Sequence, residues 1–482
     1  DLEQTNINLT KDSLPWFLIS LLKKYTQINY LCKTNQEIST LSNKIKILCP
    51  QVKIFSFPSF DCPIFSAISP TSNNKSLRIT TLIELCKKQF DKRIILYSLD
   101  SLFLKILPKN VFKKRHLILN KTKIKSISVE DLINFLNHNS YSRVETVRQK
   151  GEFCVRGNII DFFSPNDNHP TRIDSFASEI ESIKKFDPIS QLSIDKKNTS
   201  VLIPASEVIF SDESTQKFRV NFRILNIKNK DEYYEKISQG IRIEGIEHFL
   251  PLMSDAPECF LDYLKFGIFI LENNYKNLLF ATHEKISKEL IYLSDSTLIL
   301  KKFLEDPEAL INKFEHSKKI EISNLLDLGK KTFITVTKKI SDINQIKNEN
   351  DIKCFIKFTD ELLKKNDLLI TIKNDSSKKR LKKYFNAKVQ EKIYYKQITI
   401  ENSFINSADN QRGLVVVNDS ELFGKKIYKA TNKQINIENI ITEISSLRDG
   451  DLVVHNEHGI GKYLGLRNIF LYDSKHECME IE

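Results

Sequence analysis

Three short, mostly apolar runs in the first hundred residues, 28–32 (INYLC), 52–57 (VKIFSF) and 93–99 (RIILYSL), are separated by stretches whose apolar residues recur at helical spacing. Runs of this kind suit strands buried on both faces, and strands that alternate with helices pair in parallel because each return is made by a crossover helix. Residues 14–24, which hold the lone Trp16, and residues 77–89 supply helical patterns, while residues 36–46 are polar with spaced isoleucine and leucine. The expectation is an α/β domain on a parallel sheet. The serines, threonine and asparagines after Pro70 read as a loop.

The rhythm changes at residues 151–188, GEFCVRGNIIDFFSPNDNHPTRIDSFASEIESIKKFDP. This stretch reads as a strand, a polar turn and two more strands. Phe153 and Val155 alternate with Cys154 and Arg156, Gly157 breaks the pattern, and residues 159–163 form an apolar run before the Ser-Pro-Asn-Asp-Asn-His-Pro turn. In the returning strand, period two places Arg172, Asp174 and Phe176 on one face and Ile173 on the other, with Arg156 available from the preceding strand. Two arginines beside an exposed phenylalanine suit a partner surface, since arginine brings forked donors and phenylalanine a large apolar area. The competing reading is a solvated Arg/Asp pair over a core phenylalanine.

Ser128 is placed to cap a helix over residues 129–136, with acidic residues in its first turn. Phe218, Phe222 and Leu225 recur at helical spacing, residues 231–239 continue as helix, and Gly240 is a stop. Residues 341–352 are polar and aperiodic and read as a linker. A compact α/β unit follows: a strand at 368–372, a basic helix at 376–385, a strand at 396–400 and a buried strand at 413–417. The run Lys378, Lys379, Arg380, Lys382, Lys383 is expected on the solvated face of that helix, because Leu381, Tyr384 and Phe385 claim the other. At the end, strands at 451–455, 460–466 and 477–481 separated by glycine turns suggest a small SH3-like barrel.

The chemistry the chain lacks is as informative. No glycine precedes Gly151, and none of the twelve is followed by Lys-Ser or Lys-Thr. A phosphate-cradling loop needs glycine for its turn and the lysine and hydroxyl for phosphate and magnesium, so no P-loop is present. The eight cysteines are scattered singly without C-x-x-C and read as reduced core thiols. His455, His458, His476 and Cys478 lack the fixed convergence a zinc site requires, and no serine or cysteine has nucleophile-elbow glycines, so no catalytic and no metal-binding residues are assigned. No run approaches the roughly eighteen apolar residues of a membrane span. The net charge of +12 favours acidic partners or nucleic acid, although a Lys-, Ile- and Asn-rich composition poor in glycine also follows from AT-rich codons. The chain begins with Asp1 and is expected to be a segment of something longer.

GEFCVRGNIIDFF and RIDSFASEIESIKKFDPISQ resemble the segment shared by bacterial transcription-repair coupling factors and the excision-repair protein UvrB. The resemblance extends to SYSRVETVRQKGEF, FPSFDCPIFSAISP, SLDSLFLKILP, ISQGIRIEGIEHFLPLM and DSELFG, and hence over nearly the whole chain. GDLVVHNEHGIGKYLGL is similar to the polymerase-binding module of the coupling factors, which UvrB lacks. The resemblance implies a multidomain α/β fold. A UvrB-like α/β domain (1–125 and 207–340) would carry an inserted β-rich UvrA-binding domain (126–206), followed by a linker (341–360), a small α/β domain (361–430) and a truncated SH3-like, CarD-like RNA polymerase interaction domain (444–482). It implies an adaptor that recruits UvrA and contacts the RNA polymerase β subunit in the cytoplasm, with no cofactor in this segment. ATP, magnesium and most DNA contact would belong to a motor elsewhere in the family's chain. It further implies UvrA contacts at Arg156, Arg172 and Phe176 and a polymerase contact near Ile469. The acidic residue usual after the phenylalanine is here Ala177, so that contact would be lost or replaced by Glu179. The alternatives are a polymerase-binding regulator without a repair role and a UvrB-type helicase; the residue 151–188 unit argues against the first and the missing P-loop against the second.

Overall fold

The computed structural model describes residues 6–87, 91–113, 115–120, 128–176, 179–228, 230–264, 266–291, 298–323, 333–335, 337–339, 349–385, 387–406, 413–423, 450–455, 459–471 and 474–482. They fall in two units, residues 1–426 and 427–482.

The first unit is centred on a seven-stranded sheet in the order Phe333–Thr335, Asn6–Asn8, Lys319–Ser323, Ile268–Glu272, Gln27–Cys32, Arg93–Ser98, Lys53–Phe57. Every pairing in it is parallel. Gln27–Cys32 and Arg93–Ser98 are buried throughout, as the apolar runs require of central strands with helices on both faces. Thr34 caps helix Asn35–Leu48 by accepting from Glu37 N–H (3.2 Å). The polar stretch after Pro70 is not a loop but the start of helix Ser72–Leu85, because Thr71 Oγ1 accepts from Asn74 N–H (3.3 Å) and terminates the extended chain. Ser128 caps Val129–His138, its side chain accepting from Asp131 N–H, and Gly240 takes φ 73 after helix Asp231–Ser238.

Residues 142–197 form a second sheet, ordered Ser193–Lys197, Glu179–Phe186, Thr171–Phe176, Ile159–Phe162, Glu152–Arg156, Ser142–Arg143. Where the sequence reading has a strand, a turn and two strands, the stretch from 151 to 188 holds four. Gly157 (φ 58) and Asn158 close a two-residue hairpin between Arg156 and Ile159, a position where a positive φ favours glycine. Leu132 and Leu136 of the Ser128-capped helix pack with Phe153, Ile160, Ile173 and Ile183 on one face. The segment that leaves the β-rich part is anchored to the parallel-sheet part through buried charge. Arg78 lies over Phe57 (4.0 Å) and Phe60 (4.5 Å), forks onto Glu207 and donates to Pro58 O (2.6 Å).

A five-stranded sheet, Thr337–Lys339, Phe404–Asn406, Gly413–Asn418, Asn366–Thr371, Ile393–Lys396, makes the small α/β part. Its last strand is Ile393–Lys396 and not 396–400: Ile398 and Ile400 are buried in a different cluster, with Phe404 and Val416. Residues 349–360, assigned above to a linker, belong to helix Glu349–Lys365, whose length polarity alone concealed. Residues 341–348 lie outside the described residues. The small part is docked on the parallel-sheet part. Buried Asp12 accepts from Glu401 N–H (3.1 Å) and Asn402 N–H (3.0 Å), and Trp16 meets Phe404 edge-on at 5.2 Å.

In the second unit, Leu452–His455, Gly459–Leu471 and Ser474–Ile481 form a three-stranded antiparallel sheet. There is no closed barrel among the described residues. No described helix is long and apolar enough to cross a membrane.

Candidate interaction surface

The face of the β-rich sheet opposite its helix is organised by Asp161. Alternation along Ile159–Phe162 sends Ile160 and Phe162 to the helix side and Asp161 to the other, where its carboxylate is fully buried. Antiparallel register sets Arg172 directly opposite Asp161 and Arg156 opposite Ile159. Arg156 Nη2 donates to Asp161 Oδ2 (2.7 Å), while Arg172 Nε and Nη2 donate to Oδ1 (2.8 Å) and Oδ2 (2.9 Å). Arg172 also lies 4.6 Å over the ring of Phe186, which packs with Val147, Cys154 and Phe163. The Asp161 hydrogen bonds push the Arg172 guanidinium up from its ordinary value. Beside it, Asp174 is held below the usual carboxylate range by hydrogen bonds from Lys184 and then Ser182.

The three proposed contact residues therefore differ. Arg172 has a side chain only 18% exposed, so much of it is structural, whereas Arg156 is 51% exposed and offers a guanidinium oriented by one bond. Phe176 ends its strand opposite Glu179, and its side chain lies outside the described residues, as do residues 177–178. Sequence reasoning missed Asp161, although an aspartate within the apolar run Ile-Ile-Asp-Phe-Phe is a signal that a buried carboxylate needs cationic partners.

Other candidates are placed as follows. Lys379, Arg380, Lys382 and Lys383 are exposed while Leu381 and Phe385 are buried, so the basic run lies on a solvated helix face. Ile469 pairs with His476 in the terminal hairpin, and its side chain is outside the described residues. The side chains of His455, His458, His476 and Cys478 are also outside them. Among the described residues no group of three or more His, Cys, Asp or Glu could hold a metal ion.

Beyond the carboxyl ends of the parallel strands, where such folds bind ligands, lies a cavity of ≈580 Å³ lined in part by Tyr30, Lys33, Thr34, Glu37, Lys44 and Glu272. The strand-to-helix connection is Lys33-Thr34, without glycine. Glu37 accepts from Lys33 N–H (2.8 Å) and Tyr30 Oη (2.9 Å), and Lys33 Nζ pairs with Glu272 (2.6 Å). A carboxylate thus accepts from the Lys33 amide just before this helix N-terminus and places negative charge where an anion would otherwise bind.

The family model for the UvrB interaction domain matches residues 119–208, and that for the CarD-like/TRCF RID domain matches residues 447–482. Among curated proteins, the transcription-repair-coupling factor of Rickettsia bellii is 27% identical over 486 residues, covering 96% of this chain and 42% of the relative. That of Borreliella burgdorferi is 25% identical, covering 97% and 40%. That of Escherichia coli K12 is 23% identical, covering 84% and 37%. The chain spans about two fifths of the length of these relatives. With two family domains in the order found and relatives of one name along almost its entire length, the chain is similar to the transcription-repair coupling factors.

Proposed function

We propose that this chain is the adaptor portion of a transcription-repair coupling factor, linking stalled RNA polymerase to nucleotide excision repair by recruiting UvrA. The observation that carries the reading is the presence in one chain of the UvrB interaction domain and the CarD-like/TRCF RID domain. In this reading residues 126–206 are a β-rich UvrA-binding insertion in a UvrB-like α/β domain. Residues 361–430 form a small α/β domain, and residues 444–482 are part of an SH3-like barrel that meets the polymerase β subunit near Ile469. The protein works in the cytoplasm. Arg156, Arg172 and Phe176 face UvrA.

ATP-driven translocation belongs, in this proposal, to a motor outside these residues, and the parallel-sheet domain neither binds nor hydrolyses nucleotide. Its support is the glycine-free Lys33-Thr34 turn and the Glu37 carboxylate at the helix start. Calorimetry with millimolar ATP and magnesium is expected to show no saturable heat; magnesium-dependent saturation would refute this.

The adaptor reading is tested by capture of purified UvrA and of polymerase β subunit on the immobilised chain. Both are expected to bind, and Arg156→Ala with Phe176→Ala is expected to weaken UvrA alone. Failure of the wild-type chain to retain UvrA would sink the repair reading, and failure to retain the β subunit would sink the coupling reading.

A further inference from the structure

The turn joining strands Glu179–Phe186 and Ser193–Lys197 is tightly built yet points apolar side chains into solvent. Asp187 Oδ1 accepts from Ile189 N–H (3.1 Å), Ser190 N–H (2.7 Å) and Ser190 Oγ (3.0 Å). Asp187 N–H donates to Leu192 O (2.9 Å) and Gln191 N–H to Asp187 O (2.8 Å). Gln191 sits at φ 60, a conformation rare for a residue with a Cβ, and its Nε2 ties the turn to Val147 O (3.1 Å) and Pro188 O (2.8 Å). Ile189 is nevertheless 69% exposed and Leu192 70%.

The turn is continuous with the Asp161 surface. Arg172 Nη1 donates to Gln191 O (3.3 Å), and Arg172 and Arg156 share Asp161. One carboxylate under two guanidiniums leaves one positive charge there, presented by the half-exposed Arg156. Two apolar side chains on a preorganised turn, linked through Arg172 and Asp161 to an oriented arginine, have the composition of a binding hot spot, because little ordering entropy remains to be lost on contact.

We propose that Ile189 and Leu192 are apolar anchors of this surface, seating in a hydrophobic socket of UvrA that places a carboxylate near Arg156. The inference rests on the UvrA reading above and deepens it by naming the residues that carry the affinity. A second copy of this chain is the competing occupant. It is disfavoured because the neighbouring edge strand carries Asp195, Lys196 and Lys197, charges that oppose strand addition.

The test is titration of purified UvrA against the 482-residue chain and its Ile189→Ser, Leu192→Ser and double variants, with amide exchange across Ile159–Phe162 and Thr171–Phe176 as a fold control. Each single substitution is expected to weaken UvrA about tenfold and the pair about a hundredfold, with exchange unchanged, since burial of one such side chain is worth at least one tenfold step. Wild-type affinity in the double variant overturns the anchor assignment and leaves the UvrA reading standing. No UvrA binding by the wild type overturns both. Loss of self-association in the double variant, with UvrA affinity intact, would assign the turn to a second copy instead.

Discussion

Replacing Asp161 with asparagine keeps the shape of the side chain and removes the charge beneath two guanidiniums. Three charge-assisted hydrogen bonds converge on this carboxylate, two from Arg172 and one from Arg156. Arg156 is half exposed and rehydrates when released, so its share is within the ~0–1 kcal/mol of surface pairs. Arg172 is mostly covered and its forked pair is partly shielded, so its loss costs roughly 2–3 kcal/mol, below the full range for a wholly buried pair. Asp161→Asn is therefore expected to lower the opening free energy of the β-rich sheet by about 3 kcal/mol. Arg172→Met should lose about 2 kcal/mol, since its apolar stem still covers Phe186 while Asp161 keeps only Arg156. The assay is native-state amide exchange of Ile159–Phe162 and Thr171–Phe176, run as a double-mutant cycle. A coupling energy of about 2 kcal/mol between the two sites is expected, and a coupling below ~0.5 kcal/mol would refute the structural role given to this pair. Any loss of UvrA binding by an Arg172 variant must accordingly be read against its exchange profile, whereas Arg156 variants report on contact more directly.

Arg78→Met should destabilise the first unit by roughly 3–5 kcal/mol in urea melts by leaving Glu207 buried and unpaired; adding Glu207→Leu should recover part of that loss, and no recovery would contradict the account. The Cys62 thiol is pushed up to about 11 by burial and then by Asp61 and Glu247, so alkylation at pH 8 should run about a hundredfold slower than for an ordinary thiol; a normal rate would refute this. Glu315 is held down to about 2 by hydrogen bonds from Lys276, Lys319 and Tyr275. Because its folded value lies below the unfolded one, its contribution is complete above about pH 4.3 and lost as pH falls through about 2, and Glu315→Gln should flatten the acid limb of the stability curve there. Burial holds the His248 imidazole below its ordinary value, so stability should fall as pH drops below about 6.5, and His248→Gln should remove that slope.

Local rules made much of the fold readable. The apolar runs at 28–32 and 93–99 became central parallel strands, and Ser128 and Gly240 bounded helices where capping chemistry puts them. Alternation alone placed Ile173 on the face opposite Arg172 and Asp174, and it is fully buried. Misreadings arose where a short-range signal has two meanings. Serine, threonine and asparagine after Pro70 serve a loop or a helix cap equally, and the distinction depends on whether Thr71 Oγ1 finds the Asn74 amide. Residues 396–400 are apolar enough for a strand, yet Ile398 and Ile400 spend that character on another cluster.

The candidate surface divides in the same way. Period two, which is a property of the strand itself, determined that Arg172 and Asp174 share a face. That Arg156 and Arg172 meet one buried carboxylate depends on the register of three strands. That register is set by a two-residue turn at Gly157-Asn158 and by Asp161 lying opposite Arg172. Gln191 is likewise unremarkable in sequence, and its carbonyl reaches Arg172 only because a loop nineteen residues away folds back over the sheet. Side-chain direction along one strand or helix is local geometry and travels with the sequence. Which charges neutralise one another, and which apolar residues remain uncovered, depends on groups brought together from distant positions, and only the tertiary structure decides that.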